Sequence, residues 1–256
     1  MRSLLKAVLL ILIPAVAAAA TLNGQNRLDE QGRKTGPWKV IYPNGKIQYE
    51  ATFREGRPVG MMVRYYDSGT VSARMMFDST SSRSYARLYY RNGVPAAEGW
   101  YEGRVKDSVW TYYSESDGSL RIREPYMDGS LHGIVHRFYP GGAISEEVSW
   151  EENLKSGPWR QYYEDGTLRL ESGYEKDLLQ GPYRVYYPDS TLKMEGTYIS
   201  SRSEGQWTYY DVTGEILYRI EYRNGAAVDQ EKYHEMLQDS MLKFDPATEP
   251  GLPEDF

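Results

Sequence analysis

The sequence restarts every 24 residues. Gly36, Gly60, Ser84, Ser108, Gly133, Gly157, Gly181 and Gly205 open successive units, with one extra residue inside the fourth, and eight copies fill residues 36–228. A period of this length marks a supersecondary unit too small to bury its own apolar face, so neighbouring units must stack to make a continuous core. Two positions after each start stands Trp38, Met62, Ala86, Trp110, Val135, Trp159, Tyr183 or Trp207. The eighteenth position is aromatic in every copy: Phe53, Phe77, Tyr101, Tyr126, Trp150, Tyr174, Tyr198 and Tyr222.

Each copy also carries a turn dipeptide between two short strand-like runs. These are Asn44-Gly45, Ser68-Gly69, Asn92-Gly93, Asp117-Gly118, Gly141-Gly142, Asp165-Gly166, Asp189-Ser190 and Thr213-Gly214. Most tolerate the positive φ of tight hairpin turns, so each repeat reads as a β-hairpin. Taking Asn44-Gly45 as a two-residue loop, Pro43 faces Lys46, Tyr42 faces Ile47, Lys39 faces Glu50 and Trp38 faces Ala51. The same register pairs Arg87 with Glu98, His136 with Glu147, Arg160 with Glu171 and Arg184 with Glu195. Where the second strand has Arg74, Arg123 or Arg219 instead, its partner is Val63, Thr111 or Thr208, which avoids like charges directly opposite each other.

Alternation along the strands assigns two faces. Trp38, Tyr42, Ile47, Ala51 and Phe53 fall on a packing side, where Trp159 sits opposite Ser172 and Tyr183 opposite Gly196. The other side holds the charge pairs, the Gln48, Ser72, Arg121, Arg169 and Lys193 positions, and an aromatic column of Tyr65, Tyr89, Tyr113, Phe138, Tyr162, Tyr186 and Tyr210, begun by Ile41. This ladder is the candidate binding surface, an amphipathic stripe suited to an extended peptide, a glycan or a partner's surface. The competing reading is structural, since aromatic cross-strand packing by itself stabilises a sheet.

Units such as Gly36-Pro37-Trp38 through Tyr42-Pro43-Asn44-Gly45 to Glu50 and Phe53, and Gly157-Pro158-Trp159 through Tyr162-Tyr163-Glu164-Asp165-Gly166 to Glu171 and Tyr174, resemble bacterial variant MORN repeats. The resemblance implies an all-β fold, an elongated single antiparallel sheet of eight stacked hairpins. Some bacterial chains of this type carry the label of YwqK-family antitoxin. An antitoxin against a cytoplasmic toxin would not be exported, and an export signal is what the N-terminus suggests.

Residues 1–20 offer Arg2 and Lys6, an apolar run from Ala7 to Val16 and the small residues Ala17 to Ala20, the pattern of a cleavable signal peptide with cleavage before Thr21. The apolar stretch is short for a membrane span and contains Pro14. The expected location is periplasmic or secreted. With no cysteine in the chain, a lipid-modified cysteine, disulfides and thiolate metal sites are all excluded. Residues 21–35 read as a linker or N-terminal cap. Residues 229–244 place Tyr233, Met236, Leu237, Met241 and Phe244 on one helical face, predicting a capping helix or a partner-docking one, and residues 245–256 a disordered acidic tail.

Little in the sequence points to chemistry. The formal charge is -6, and loss of residues 1–20 leaves 28 basic against 36 acidic residues, a net -8, which argues against nucleic acid and anionic lipid. His132, His136 and His234 are scattered, no nucleophile-elbow, phosphate-loop or zinc-protease motif occurs, and the glycines are explained by turns. The chain therefore reads as a non-catalytic, cofactor-free protein-binding or scaffolding module. A carbohydrate or cell-wall module using the Tyr ladder is the alternative, and an undetected hydrolase a third. The third copy departs most from the pattern, with Ser84 and Ala86 at the Gly and Trp positions after the polar run Asp78 to Ser84.

Overall fold

The computed structural model describes residues 25–229. The signal peptide, the C-terminal helix beyond Asp229 and the acidic tail of the sequence reading lie outside the described residues.

Those residues form one open antiparallel sheet of twenty strands in hairpin order and contain no helix. After β1 (Arg27–Leu28), which pairs with the start of the next strand, come β2 (Lys34–Ile41) and β3 (Ile47–Arg54), β4 (Arg57–Tyr65) and β5 (Val71–Phe77), β6 (Arg83–Tyr89) and β7 (Pro95–Glu102), and β8 (Val105–Tyr113) and β9 (Leu120–Met127). The short β10 (Ser130–Leu131) leads into β11 (Gly133–Phe138) and β12 (Ile144–Glu151), then β13 (Leu154–Tyr162) and β14 (Leu168–Glu175). The short β15 (Leu178–Leu179) precedes β16 (Gly181–Tyr186) and β17 (Leu192–Ile199), followed by β18 (Arg202–Tyr210), β19 (Ile216–Arg223) and β20 (Ala226–Ala227). The short β10 and β15 share β9 and β14 with the strands that follow them.

The register confirms the central pairs and corrects the turn. Trp38 opposes Ala51, Lys39 opposes Glu50 and Val40 opposes Tyr49, but Ile47 opposes Ile41 rather than Tyr42. The loop holds three residues, not two. The Gly45 amide donates to the Tyr42 carbonyl and the Tyr42 amide to the Lys46 carbonyl, and of the loop residues only Gly45 has positive φ, at 81°. This is a type I turn closed by a left-handed glycine, and a bulge at Gln48 restores the expected pairing. Asn44 favours it because its Oδ1 accepts the Lys46 amide at 3.1 Å, as Asp165 Oδ1 accepts that of Thr167 at 2.8 Å. The extra residue of the fourth copy is in this loop, where the Gly118 amide reaches back to Ser114.

The mirror-image two-residue turns join one repeat to the next. Glu55-Gly56, Asp128-Gly129, Glu152-Asn153, Lys176-Asp177, Ser200-Ser201 and Asn224-Gly225 have positive φ at both residues, the type I′ condition.

The repeat-opening glycine serves a different end. Gly36, Gly60, Gly133, Gly157, Gly181 and Gly205 have positive φ inside or beside strands, and Ser108 adopts it at 58°. Between β3 and β4 the pairing jumps from Glu50 with Val63 to Thr52 with Val59, so Ala51 faces an expanded stretch, Gly60 to Met62. The left-handed residue lets the strand swell there, and the large residue two positions on swings over the small one of the preceding repeat. Trp110 lies over Gly99 and Trp207 over Gly196, where an added Cβ would come within 2.5 Å and 2.1 Å of the rings. The eighteenth-position aromatics meet these rings edge-on: Tyr101 with Trp110 at 4.9 Å between centroids, Tyr198 with Trp207 at 5.0 Å and Phe53 with Trp38 at 5.9 Å. Thus the sheet builds its buried core on one face, from Trp38, Trp110, Trp159, Tyr183 and Trp207 with Ala51, Ala97 and Leu170.

The third copy is the exception that explains its own sequence. Between β5 and β6 the register runs unbroken from Ala73 with Leu88 to Phe77 with Ser84. Without a bulge Ser84 needs no positive φ, and Met75 stands directly opposite Ala86, a large residue on a small one in reversed order. The two residues missing from the bulge reappear in the connecting loop, which runs from Asp78 to Arg83, so the 24-residue spacing survives.

Candidate functional site

The charge pairs of the sequence reading belong to one continuous row. Cross-strand partners link Lys39, Glu50, Val63, Arg74, Arg87, Glu98, Thr111 and Arg123. The row continues through His136, Glu147, Arg160, Glu171, Arg184, Glu195, Thr208 and Arg219. At about 4.8 Å per strand it spans roughly 70 Å. Sign alternates from Glu147 to Glu195. Lys39 approaches Glu50 at 3.2 Å, Arg87 approaches Glu98 at 2.7 Å, His136 approaches Glu147 at 3.4 Å, and Arg184 meets Glu171 at 3.0 Å and Glu195 at 3.8 Å. Two junctions break the alternation, Arg74 with Arg87 and Arg123 with His136. Both lie between repeats, where pairing read within single hairpins gave no view of them.

The ladder residues Tyr65, Tyr89, Tyr113, Phe138, Tyr162, Tyr186 and Tyr210 sit beside this row, all half-buried. Five of them, Tyr65, Tyr113, Tyr162, Tyr186 and Tyr210, bond a glutamate through the hydroxyl. Tyr113 donates to Glu98 at 2.7 Å, and Tyr162, Tyr186 and Tyr210 donate to Glu147, Glu171 and Glu195, each at 2.8 Å. Tyr65 reaches Glu50 at 3.3 Å. Burial, then the bond to Glu98, pushes the Tyr113 phenol up to about 12. Glu98 is opposed by its own desolvation, yet the hydrogen bonds from Tyr113, Arg87 and Tyr85 hold its carboxyl below the ordinary range. The Glu171 carboxyl is lowered chiefly by the bond from Tyr186. The ladder therefore locks each glutamate to the following repeat.

A second tyrosine column, at the Tyr42 position that alternation places on the packing side, has a role that alternation alone did not reveal. The hydroxyls of Tyr42, Tyr66, Tyr90, Tyr139, Tyr163 and Tyr187 donate to the carbonyls of Tyr65, Tyr89, Tyr113, Tyr162, Tyr186 and Tyr210, at 2.6 to 3.0 Å. Each turn is thereby clamped to the next repeat. The signal was present in the sequence as a recurring Tyr before the turn. Lysine stems close the same face: Lys34 lies 4.5 Å from the Trp38 ring centroid, and Lys106 lies over Trp110, Tyr112 and Tyr126, where burial lowers its pKa.

The row next to the charges on the ladder face is where repeats differ most. It reads Pro37 with Thr52, Pro158 with Gly173, Pro182 with Thr197 and Gln206 with Glu221 towards the ends. In the middle it reads Met61 with Met76, Tyr85 with Trp100, Val109 with Pro125 and Ile134 with Ser149. Met61, Met76, Val109 and Ile134 are 47–49% exposed and Trp100 is 39% exposed. Among the described residues no group of three or more His, Asp or Glu is placed to hold a metal.

The family model for the MORN repeat variant matches residues 34–55, 155–176 and 179–200. Three of the chain's repeats are MORN-variant by this match. Each matched segment is a hairpin with its flanking turn: the first covers β2 and β3, the second β13 and β14, and the third runs from β15 to β17. The third copy, with its altered boundary, lies outside the matched segments. No curated protein matches the chain.

Proposed function

We propose that this is an exported, non-catalytic MORN-repeat protein that binds another protein in the cell envelope through the ladder face. MORN repeats are generally protein- or membrane-binding modules and typically non-catalytic. One observation carries the reading: the ladder face exposes Met61, Met76, Trp100, Val109 and Ile134 beside a fixed row of charges, although the same row is Pro, Gly, Thr, Gln or Glu towards both ends. Clustered apolar exposure of this kind marks an interaction surface. The acidic net charge disfavours an anionic membrane. The glycan alternative draws on the ladder, most of whose hydroxyls are engaged by glutamates and whose rings are half-buried, leaving less free polar surface to orient a sugar.

The test is site-specific photocrosslinking in the native envelope, with the crosslinker placed at Met76, Trp100 or, as control, Gly173. A discrete protein adduct at Met76 and Trp100 but not at Gly173 is expected, with N-terminal sequencing of the exported form starting at Thr21. Equal adducts at all three positions, or glycan adducts alone, would overturn the proposal.

A further inference from the structure

We propose that the four-strand block β4 to β7 docks a protein segment presenting an apolar side chain next to a carboxylate. This rests on the protein-binding reading above and specifies the partner's chemistry.

The argument begins at the boundary that lacks a bulge. Because β5 and β6 pair without interruption, Met61, Met76, Tyr85 and Trp100 are consecutive cross-strand partners on one exposed face. The edge-to-face contact of Tyr85 with Trp100, 5.2 Å between centroids, makes one wall, and Met61 and Met76 another. Met61, Met76 and Tyr85 line a shallow groove together with Arg74, Arg87, Tyr89 and Glu98, and Trp100 flanks it beside Tyr85. The repeat architecture does not demand them, since equivalent positions elsewhere are Thr52, Gly173 or Thr197. The departure from the repeat pattern in sequence and the apolar exposure coincide at one place.

Charge identifies the occupant. Arg74 and Arg87 are direct cross-strand partners, an arrangement that like charges disfavour. Arg87 is neutralised by Glu98, whose carboxylate also accepts from Tyr113. Arg74 is exposed and, among the described residues, has no carboxylate within 4 Å. A single guanidinium beside methionine and aromatic walls matches one carboxylate carried on an apolar segment, since Arg is suited to bidentate carboxylate recognition. A polyanion such as nucleic acid or an anionic lipid surface would find in this groove a single arginine without a carboxylate partner, Arg74, on a chain of net charge -6.

The experiment uses the mature full chain and three fluorescent dodecapeptides with Leu-Glu-Phe, Leu-Gln-Phe or Leu-Lys-Phe at the centre of Gly/Ser flanks, read by anisotropy. The Glu peptide should bind at least fivefold more tightly than the Gln peptide, with the Lys peptide weakest. Arg74→Glu should invert that order, and Arg74→Gln should abolish the Glu preference. Met76→Ser with Trp100→Ser should weaken all three, with circular dichroism confirming that each variant is folded. Equal binding of the Glu and Gln peptides, or an Arg74→Glu variant with unchanged order, overturns the proposal. So does Arg74-dependent binding to phosphatidylglycerol vesicles without any peptide preference. Protein adducts at Met76 and Trp100 without charge selectivity would leave the protein-binding reading standing and remove only this inference, whereas loss of the adducts removes both.

Discussion

Replacing Gly99 with alanine tests whether the repeat packs by laying one indole on a bare backbone. Gly99 has no positive φ, so alanine suits its backbone and should gain about 0.4–1 kcal/mol by restricting the unfolded chain. Against that, the new Cβ would sit 2.5 Å from Trp110 Cδ2, and Trp110 is fully buried. Overpacking of this kind costs about 1–3 kcal/mol. The ring escapes only by giving up the bond from its Nε1 to the Trp100 carbonyl at 2.8 Å, about a further 1 kcal/mol. The net expectation is a loss of about 2 kcal/mol in urea unfolding followed by tryptophan fluorescence and far-ultraviolet circular dichroism. In a Trp110→Phe background the penalty should shrink, because a smaller ring vacates part of the space. Gly45→Ala separates the two uses of glycine: its Cβ meets nothing within 4 Å but φ is 81°, so it should lose about 1 kcal/mol whatever stands at position 110. A Gly99→Ala variant within about 0.5 kcal/mol of the parent, or a penalty that Trp110→Phe leaves intact, would refute the packing argument.

Tyr163→Phe should destabilise by about 1 kcal/mol and speed amide exchange in β16, because it leaves the Tyr186 carbonyl without its clamp; an unchanged melting temperature and exchange pattern would contradict the clamp. Exchanging Lys39 and Glu50 should cost about 0.5 kcal/mol in each single variant and be partly recovered in Lys39→Glu with Glu50→Lys, since both groups are half-exposed and the swap restores the pair while disturbing the bond from Tyr65 to Glu50; additive losses in the double variant would deny the pairing. Alkaline stability should fall between about pH 10 and 12. Burial raises Tyr113, Tyr174 and Tyr183 to about 12, so the folded state keeps protons that the unfolded chain, titrating near 10, releases. That contribution is complete below pH 10 and gone above 12, and a flat urea midpoint across this window would contradict it.

The hairpin register was legible because charge and turn residues recur in fixed columns: Lys39 with Glu50 and Arg184 with Glu195 are both where simple counting outward placed them. The turn itself was misread because Asn-Gly serves two geometries. In the type I form only the glycine is left-handed, and the compensating bulge at Gln48 hides the error from every pair beyond it. Three of the inter-repeat turns, Glu152-Asn153, Lys176-Asp177 and Ser200-Ser201, have both residues left-handed yet lack the glycine that advertises the type I′ form. The ladder, expected from alternation to be a solvent-facing stripe, is half-buried, and its engagement by glutamates of the preceding repeat depends on pairing between repeats, which no single hairpin contains.

Once the shared columns are assigned physical tasks, the departures from them become interpretable. The opening glycine permits a bulge, the following aromatic covers a small residue, and the tyrosine before the turn clamps the next strand. At Ser84 and Ala86 the first two tasks lapse together, and the residues freed from the bulge lengthen the loop after Asp78, so the fold tolerates the change at constant spacing. A tolerated loss would require no compensating gain on the opposite face. Yet β4 to β7 carry Met61, Met76, Tyr85 and Trp100 in one exposed row, beside an arginine pair that the rest of the charge row avoids except at Arg123 and His136. Uninterrupted pairing is what makes that row continuous, because a bulge between β5 and β6 would displace Tyr85 from Met76 and open the groove at its centre. The boundary without a bulge is thus the structural condition for the apolar surface.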